Sequence, residues 1–445
     1  MPFLWLLSIA CLFNTIAAEE LFKSEKVFDN LQVTELVLNN DLHVYFRPSE
    51  NEEQEIMLQL AAPGGYSSLS SKEQPSARLA ADIVWESGFG SLSSDQLSAL
   101  LYNYSIELDF SVKPFYRTIA GECGTESLPM LIKLISDFLT HPQFHQSGLE
   151  ATTKMIAEAI DNSYLDKTQK FENAFLMINT KSPSKNVPLT KESLKSIDLK
   201  EVAVIFERLF ANPQNFCCVI TGDFNIDLIK PYVIKFFGEI PKKSPDLQLN
   251  ISSRPQFPSQ PETQIISLKN GSDSLTRITF PIIQPIEASN IYKLEMACQT
   301  IEAHLRSLMQ RRLKSSYGVD VAYEFPFYPS FMFPWITIQF RSDFDQADDL
   351  AKIIVSEIQH LKIKGPSLSD LQTAEMSQKA NDEFWHSDDE YWLSFLTNAY
   401  LMGLNPSEIF ENQNKERSTS LEKMKETLSL LLEPSRYTQL TTKPE

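Results

Sequence analysis

Six histidines, His43, His141, His145, His304, His360 and His386, are the material from which a metal-dependent hydrolase would have to be built. Two imidazoles at i and i+4 can grip one ion from a single helix face. A glutamate at i+3 then lies beside the metal-bound water and takes its proton. Only His141 and His145 have the i, i+4 spacing, and Pro142 between them ends a helix at that point. His386-Ser387-Asp388-Asp389-Glu390 sets acids beside a single imidazole. No Gly-x-Ser-x-Gly elbow or phosphate-loop glycine pattern offers another chemistry. Cys123, Cys217, Cys218 and Cys298 show no paired spacing, so neither a Cys-based metal site nor a disulfide framework is expected. Cys217 and Cys218 are adjacent in an apolar run, point to opposite faces of a strand and should pack as small hydrophobes. This inventory predicts a chain that binds no zinc of its own.

The elements that would position these residues fall into two halves. Residues 241–261, PKKSPDLQLNISSRPQFPSQP, contain five prolines and suppress regular structure, and Gly238 just before them suits a helix stop. We read residues 19–240 as a first domain, 241–261 as a linker and 262–445 as a second domain. In the first half, strands are expected over 36–48, 55–62, 106–112, 115–122 and 216–222. Helices are expected over 77–85, 94–104, 128–138 and 228–237, and residues 146–210 read as largely helical. The second half repeats the order: strands over 264–268, 275–283, 319–324 and 335–341, and helices over 292–314 and 347–361. Leu350, Ile354, Ile358 and Leu361 share one face of the last of these helices. Gly365-Pro366-Ser367 then stops one helix and caps the next. Ala211-Asn212-Pro213-Gln214-Asn215-Phe216 and Leu432-Glu433-Pro434-Ser435-Arg436-Tyr437 each lead into a final strand. A period of about 200 residues signals a duplicated domain and not a solenoid. The fold class is therefore α+β: two tandem homologous domains, each an antiparallel-rich sheet covered by helices on one face.

Bulk properties narrow the function. The chain has 445 residues, enough for two cores, and is 42% apolar with no low-complexity tract, so an ordered globular protein is expected. A net charge of −18 without a basic stripe argues against nucleic acid as a partner, while a cationic peptide would be attracted. Residues 1–18, MPFLWLLSIACLFNTIAA, form an apolar run ending in small residues, as a secretory signal does, although no Lys or Arg precedes it. We expect an exported, periplasmic or secreted protein, the run being cleaved or retained as an anchor. No other stretch is apolar for long enough to cross a membrane.

The ordered set of segments resembles the M16 metallopeptidases, the pitrilysin/insulinase family. The resemblance covers nearly all of residues 30–445. Tyr317-Gly318-Val319 followed by strands, then Gly365-Pro366-Ser367 and Tyr391-Trp392-Leu393, is similar to the second domain of bacterial M16 chains. Ala211-Asn212-Pro213 and Thr221-Gly222-Asp223-Phe224 are similar to the end of the first. The resemblance implies the M16/LuxS-like metallohydrolase fold.

The family's catalytic half carries His-x-x-Glu-His on its first helix. The matching helix here reads Ala77-Arg78-Leu79-Ala80-Ala81-Asp82-Ile83-Val84-Trp85. It places Arg78 and Asp82 at the two histidine positions and Ala81 at the base. Arginine offers no lone pair and alanine accepts no proton. Arg78 and Asp82 could pair across one turn, worth about 0.2–0.5 kcal/mol. Glu158 stands at about the third ligand's place, but alone it reads as a helix-surface acid. In many M16 enzymes the non-catalytic half offers an Arg and a Tyr to the substrate near the scissile bond. Arg311-Arg312-Leu313-Lys314-Ser315-Ser316-Tyr317 resembles that stretch, with Gln310 in the family's Arg register. Tyr317 with Arg311 or Arg312 is a candidate substrate-binding pair; the other reading is a basic helix end set against its own dipole. The resemblance thus implies a catalytically inactive member, the peptide-binding half of a heterodimer whose zinc sits only in a catalytic M16 partner. Its ligand would be a peptide or unfolded polypeptide. The alternatives are a stand-alone scaffold or peptide-binding protein of this fold, and a hydrolase with an unrecognised site.

Overall fold

The computed structural model describes residues 22–50, 55–163, 167–180, 189–242, 256–268, 273–287, 290–312, 318–326, 333–415 and 419–444. Residues 1–18, Tyr317 and most of the 241–261 linker lie outside them. Twelve strands are found among the described residues: β1 Phe22–Phe28, β2 Val33–Leu38, β3 His43–Pro48, β4 Glu55–Pro63, β5 Glu107–Val112, β6 Tyr116–Gly124, β7 Cys217–Gly222, β8 Glu262–Leu268, β9 Ser274–Pro281, β10 Val319–Glu324, β11 Trp335–Ser342 and β12 Thr438–Pro444. They form a seven-stranded sheet of order β1-β2-β3-β7-β4-β6-β5 and a five-stranded sheet of order β10-β11-β9-β12-β8.

The two sheets share one topology. In the first, β3 and β7 are parallel, and β7–β4, β4–β6 and β6–β5 are antiparallel. In the second, β8 and β12 are parallel, and β12–β9, β9–β11 and β11–β10 are antiparallel. The strands correspond in the order β3 to β8, β4 to β9, β5 to β10, β6 to β11 and β7 to β12. The first sheet adds only β1 and β2 at its edge. A parallel neighbour cannot be reached by a tight turn, so β7 and β12, the last strands of their halves, return to the sheet after the helices of that half.

Two differences from the sequence reading have plain physical causes. The run 36–48, read as one strand, is the hairpin β2–β3. Asp41 takes a left-handed φ of 67°, and the Asn40 side chain accepts from Leu42 N–H and donates to the carbonyls of Phe237 and Ile240, 2.7 and 3.0 Å away. These polar side chains make the turn. Strand β1, FKSEKVF, was not foreseen, because it is mostly exposed and carries no alternating apolar face.

The chain divides into two compact units that interleave along the sequence: Met1–Lys154, Lys195–Leu249 and Asp388–Gly403 form one, and Met155–Leu194, Asn250–Ser387 and Leu404–Glu445 form the other. Each unit therefore contains helical residues from the opposite half of the chain. In the first unit the helix Asp389–Leu401 packs on β4 and β7. Asp389 takes a hydrogen bond from Ser49 at 2.7 Å and an ion pair from Arg47 at 3.2 Å, and the Arg47 guanidinium lies 4.3 Å over the Trp392 ring. Covered on both faces, β7 is buried at all six residues, which is why CCVITG reads as a continuous apolar run. Cys217 and Cys218 are free thiols in that strand, and burial raises the pKa of both. In the second unit the helix Lys167–Thr180 packs on β8 and β12. Arg277 bridges to Glu172 at 3.2 Å and stacks over Phe175 at 4.6 Å, and Phe175 meets Trp335 edge-on.

The remaining helices follow the amphipathic pattern. Leu350, Ile354, Ile358 and Leu361 of the helix Phe344–Lys364 are all buried in the core of the second unit. Capping boxes start the helices Ser94–Tyr104 and Leu368–Trp385, from Ser93 and Ser367. Gly222 is the one residue able to end β7. Its φ is +121°, and a Cβ there would sit 2.2 Å from the Glu55 carbonyl oxygen.

Candidate functional site

The helix that carries Arg78, Ala81 and Asp82, the residues read as a degenerate metal motif, spans Gln74–Ser87. Pro75 occupies its first turn, where a missing N–H costs nothing, and Gly88 ends it at a φ of +88°. Ala77, Leu79, Ala80, Ile83 and Val84 are buried and dock it against the rest of the first unit, including the helix Leu199–Phe210. The positioning element is thus intact; what differs is its side chains.

Arg78 is half-buried, and its guanidinium lies 5.0 Å over the ring of Tyr66. Ala81 is 2% exposed and presents a methyl group to the packed interior. Asp82 is half-buried, and its pKa rises from 3.8 to about 6, first through burial and then through the neighbouring carboxylates of Asp109 and Glu86. The structure thus places Arg78 on an aromatic face and puts Asp82 under the influence of acids. Glu158 is exposed on the helix Gln146–Ser163. A guanidinium, a methyl group and one carboxyl do not fit a catalytic zinc ion, which needs three imidazole, thiolate or carboxylate ligands and a base for its water. No hydrolytic step can be assigned to this helix.

Asp82 supplies a test. Its folded pKa lies above its unfolded value, so the folded state holds the proton more tightly between pH 4 and 6 and loses relative stability as pH rises through that window. Asp82→Asn should stabilise the protein by about 3 kcal/mol at pH 7, with the gain vanishing near pH 4. Urea denaturation of both proteins at pH 4 and pH 7 measures this. An equal difference at the two pH values would contradict it.

Of the second candidate set, Arg311 and Arg312 are the last residues of the helix Ile291–Arg312, and Tyr317 lies outside the described residues. The strand that follows, β10, stands at the end of its sheet and pairs with β11.

A third group was not anticipated. His304 Nδ1 is 3.1 Å from Asp370 Oδ2 and its Nε2 is 3.0 Å from Glu357 Oε2. Ligand atoms of His304, Glu357 and His360 lie within 4.8 Å of one another, the one such His/Cys/Asp/Glu group among the described residues. Looking for paired histidines on one helix finds only His141 and His145. These exposed rings instead hydrogen-bond locally, to Thr140 and Gln143. The signal that could have been read is Glu357-x-x-His360, a carboxylate and an imidazole one turn apart on the same helix.

Two sheets of one topology, each with a parallel return strand, give the chain an M16-type fold. Residues 196–377 match the family described as the Peptidase M16 inactive domain. The solved structures agree on the fold. The chain superposes on the periplasmic protease PqqL from Escherichia coli with a TM-score of 0.76 at 15% identity, covering 95% of this chain and 46% of PqqL. It therefore spans about half of that protein. A protease from Helicobacter pylori matches with a TM-score of 0.73 at 12% identity, covering 95% of this chain and 100% of the other. A peptidase M16 inactive domain from Pseudomonas fluorescens matches with a TM-score of 0.73 at 12% identity, covering 93% and 99%. No curated protein matches the chain in sequence.

Proposed function

We propose that this chain is the non-catalytic, peptide-binding subunit of an exported heteromeric M16 zinc protease. The observation that carries the reading is the helix Gln74–Ser87. It is folded and its apolar face is buried, yet it bears Arg78, Ala81 and Asp82 where the M16 motif would require two ligands and a base. The zinc and its water then belong to a partner with an intact His-x-x-Glu-His. Tyr317 with Arg311 or Arg312 would hydrogen-bond a peptide carbonyl and the charge that develops on its oxygen. The edge strand β10, which starts two residues after Tyr317, suits an extended peptide that adds as a further strand. The apolar run at residues 1–18 would carry the protein out of the cytoplasm. The match to the inactive-domain family and the fold shared with periplasmic PqqL support the assignment.

Mixing tests it. The purified chain alone should leave a quenched peptide intact, and a catalytic M16 chain encoded beside it should cleave only after the two are combined. Tyr317→Phe in this chain should lower cleavage by the mixture by about 10²-fold, the usual effect of removing one donor to a developing oxyanion. The proposal fails if the mixture cleaves no better than the catalytic chain by itself. It fails equally if this chain cleaves alone and a chelator stops it.

A further inference from the structure

We propose that His304, Glu357 and His360 form a binding site for a zinc-class divalent cation in the second unit, with Asp370 holding His304 in its ligating tautomer. Three helices converge there. His304 comes from Ile291–Arg312, Glu357 and His360 from adjacent turns of Phe344–Lys364, and Asp370 from the first turn of Leu368–Trp385. Asp370 is fixed before it meets the histidine: its Oδ2 accepts the Ser367 N–H at 3.0 Å, and its own N–H donates to Ser367 Oγ at 3.1 Å.

A neutral imidazole has one N–H. Here both ring nitrogens of one histidine face carboxylate oxygens, at 3.1 and 3.0 Å. With the proton on Nδ1 and donated to the anchored Asp370, Nε2 presents a lone pair towards Glu357. Two electron-pair donors at that distance need a positive centre between them. A carboxylate behind Nδ1 with a metal in front of Nε2 is the arrangement by which proteins orient ligating histidines. His360 supplies the third ligand, its ring 6.5 Å from that of His304 and inclined by 23°. Two imidazoles and one carboxylate suit zinc and its neighbours, whereas calcium and magnesium prefer all-oxygen sets. Side chains of His304, Glu357 and Asp370 are 18%, 17% and 6% exposed, and His360 is exposed, so the fourth position opens to water. The competing occupant is a second proton on His304, and such an imidazolium would not need His360.

The full-length chain, stripped with a chelator and dialysed, should take up one equivalent of ZnCl2 in a calorimetric titration. Co2+ in its place should show the visible absorption of a four-coordinate ion. His360→Ala, at an exposed position that does not disturb the core, should weaken uptake by at least about tenfold. His141→Ala with His145→Ala should leave it unchanged. The proposal is overturned if no stoichiometric uptake occurs. It is also overturned if His360→Ala binds as tightly as the parent, or if the His141/His145 pair accounts for the binding.

Discussion

Arg117→Met should destabilise the protein by about 3–5 kcal/mol, seen as a large fall in the urea midpoint with no change in slope. Arg117 is 0% exposed and lies on β6. Its guanidinium donates to three backbone carbonyls: Leu209, Pro63 at 2.6 Å and Gly64 at 2.7 Å. It also stacks 4.9 Å over Phe216. Leu209 belongs to the last turn of the helix Leu199–Phe210, whose carbonyls have no partner within the helix and whose dipole favours a cation. One side chain thus ties that helix end to the corner after β4. Burial lowers the Arg117 pKa to about 9, which still leaves it charged at neutral pH. Methionine fills much of the space but strands three buried acceptors, each worth about 1–3 kcal/mol when left unpaired. Arg117→Lys should recover less than half of the loss, because an ammonium cannot reproduce the planar fork. A loss below about 1 kcal/mol in Arg117→Met would show that these hydrogen bonds do not hold the corner together.

Phe138→Ala should cost about 3–5 kcal/mol and flatten the near-ultraviolet circular dichroism of the first unit. Phe138 is fully buried on the helix Leu128–Thr140. It stacks on Phe110 at 4.0 Å and meets Phe206, Phe89 and Phe210 edge-on at 5.1, 5.6 and 5.6 Å. Both geometries suit the aromatic quadrupole and add to simple area burial. Trp85, on the helix that carries Arg78 and Asp82, reaches the same cluster through Phe89 and Phe110, at 6.1 and 6.0 Å. The cluster therefore positions the degenerate helix as well as the core. Phe138→Leu should keep most of the volume and lose under half as much. Equal losses for alanine and leucine would mean that ring geometry matters more than the space filled.

How much of this was legible in the chain depended on what each feature needs. Local periodicity sufficed for the helix Phe344–Lys364, whose buried stripe Leu350, Ile354, Ile358 and Leu361 was read directly. It sufficed for β10, found over the expected residues 319–324. The duplication was legible because two similar segments lead into β7 and β12, and these strands occupy equivalent places in their sheets. Residue type at fixed helical spacing is also what Arg78, Ala81 and Asp82 can be weighed on, and the structure places all three on one helix. The helices Lys167–Thr180 and Asp389–Leu401 look like ordinary amphipathic helices, and nothing local says which sheet each will cover. His304 lies 53 residues from Glu357 and 66 from Asp370, so their meeting belongs to helix packing and leaves no spacing to read.

The exchange of helices also bears on how the polypeptide acquires its shape as it leaves the ribosome. The outer face of β4 and β7 waits for a segment made almost 170 residues after β7 ends (Gly222 to Asp389). Until that segment arrives, an apolar sheet surface stays open to neighbours, at the stage when long-range partners are slow to form and off-pathway association competes. Such a chain would gain from a holding chaperone during synthesis, and its late residues close the surface that its early residues create.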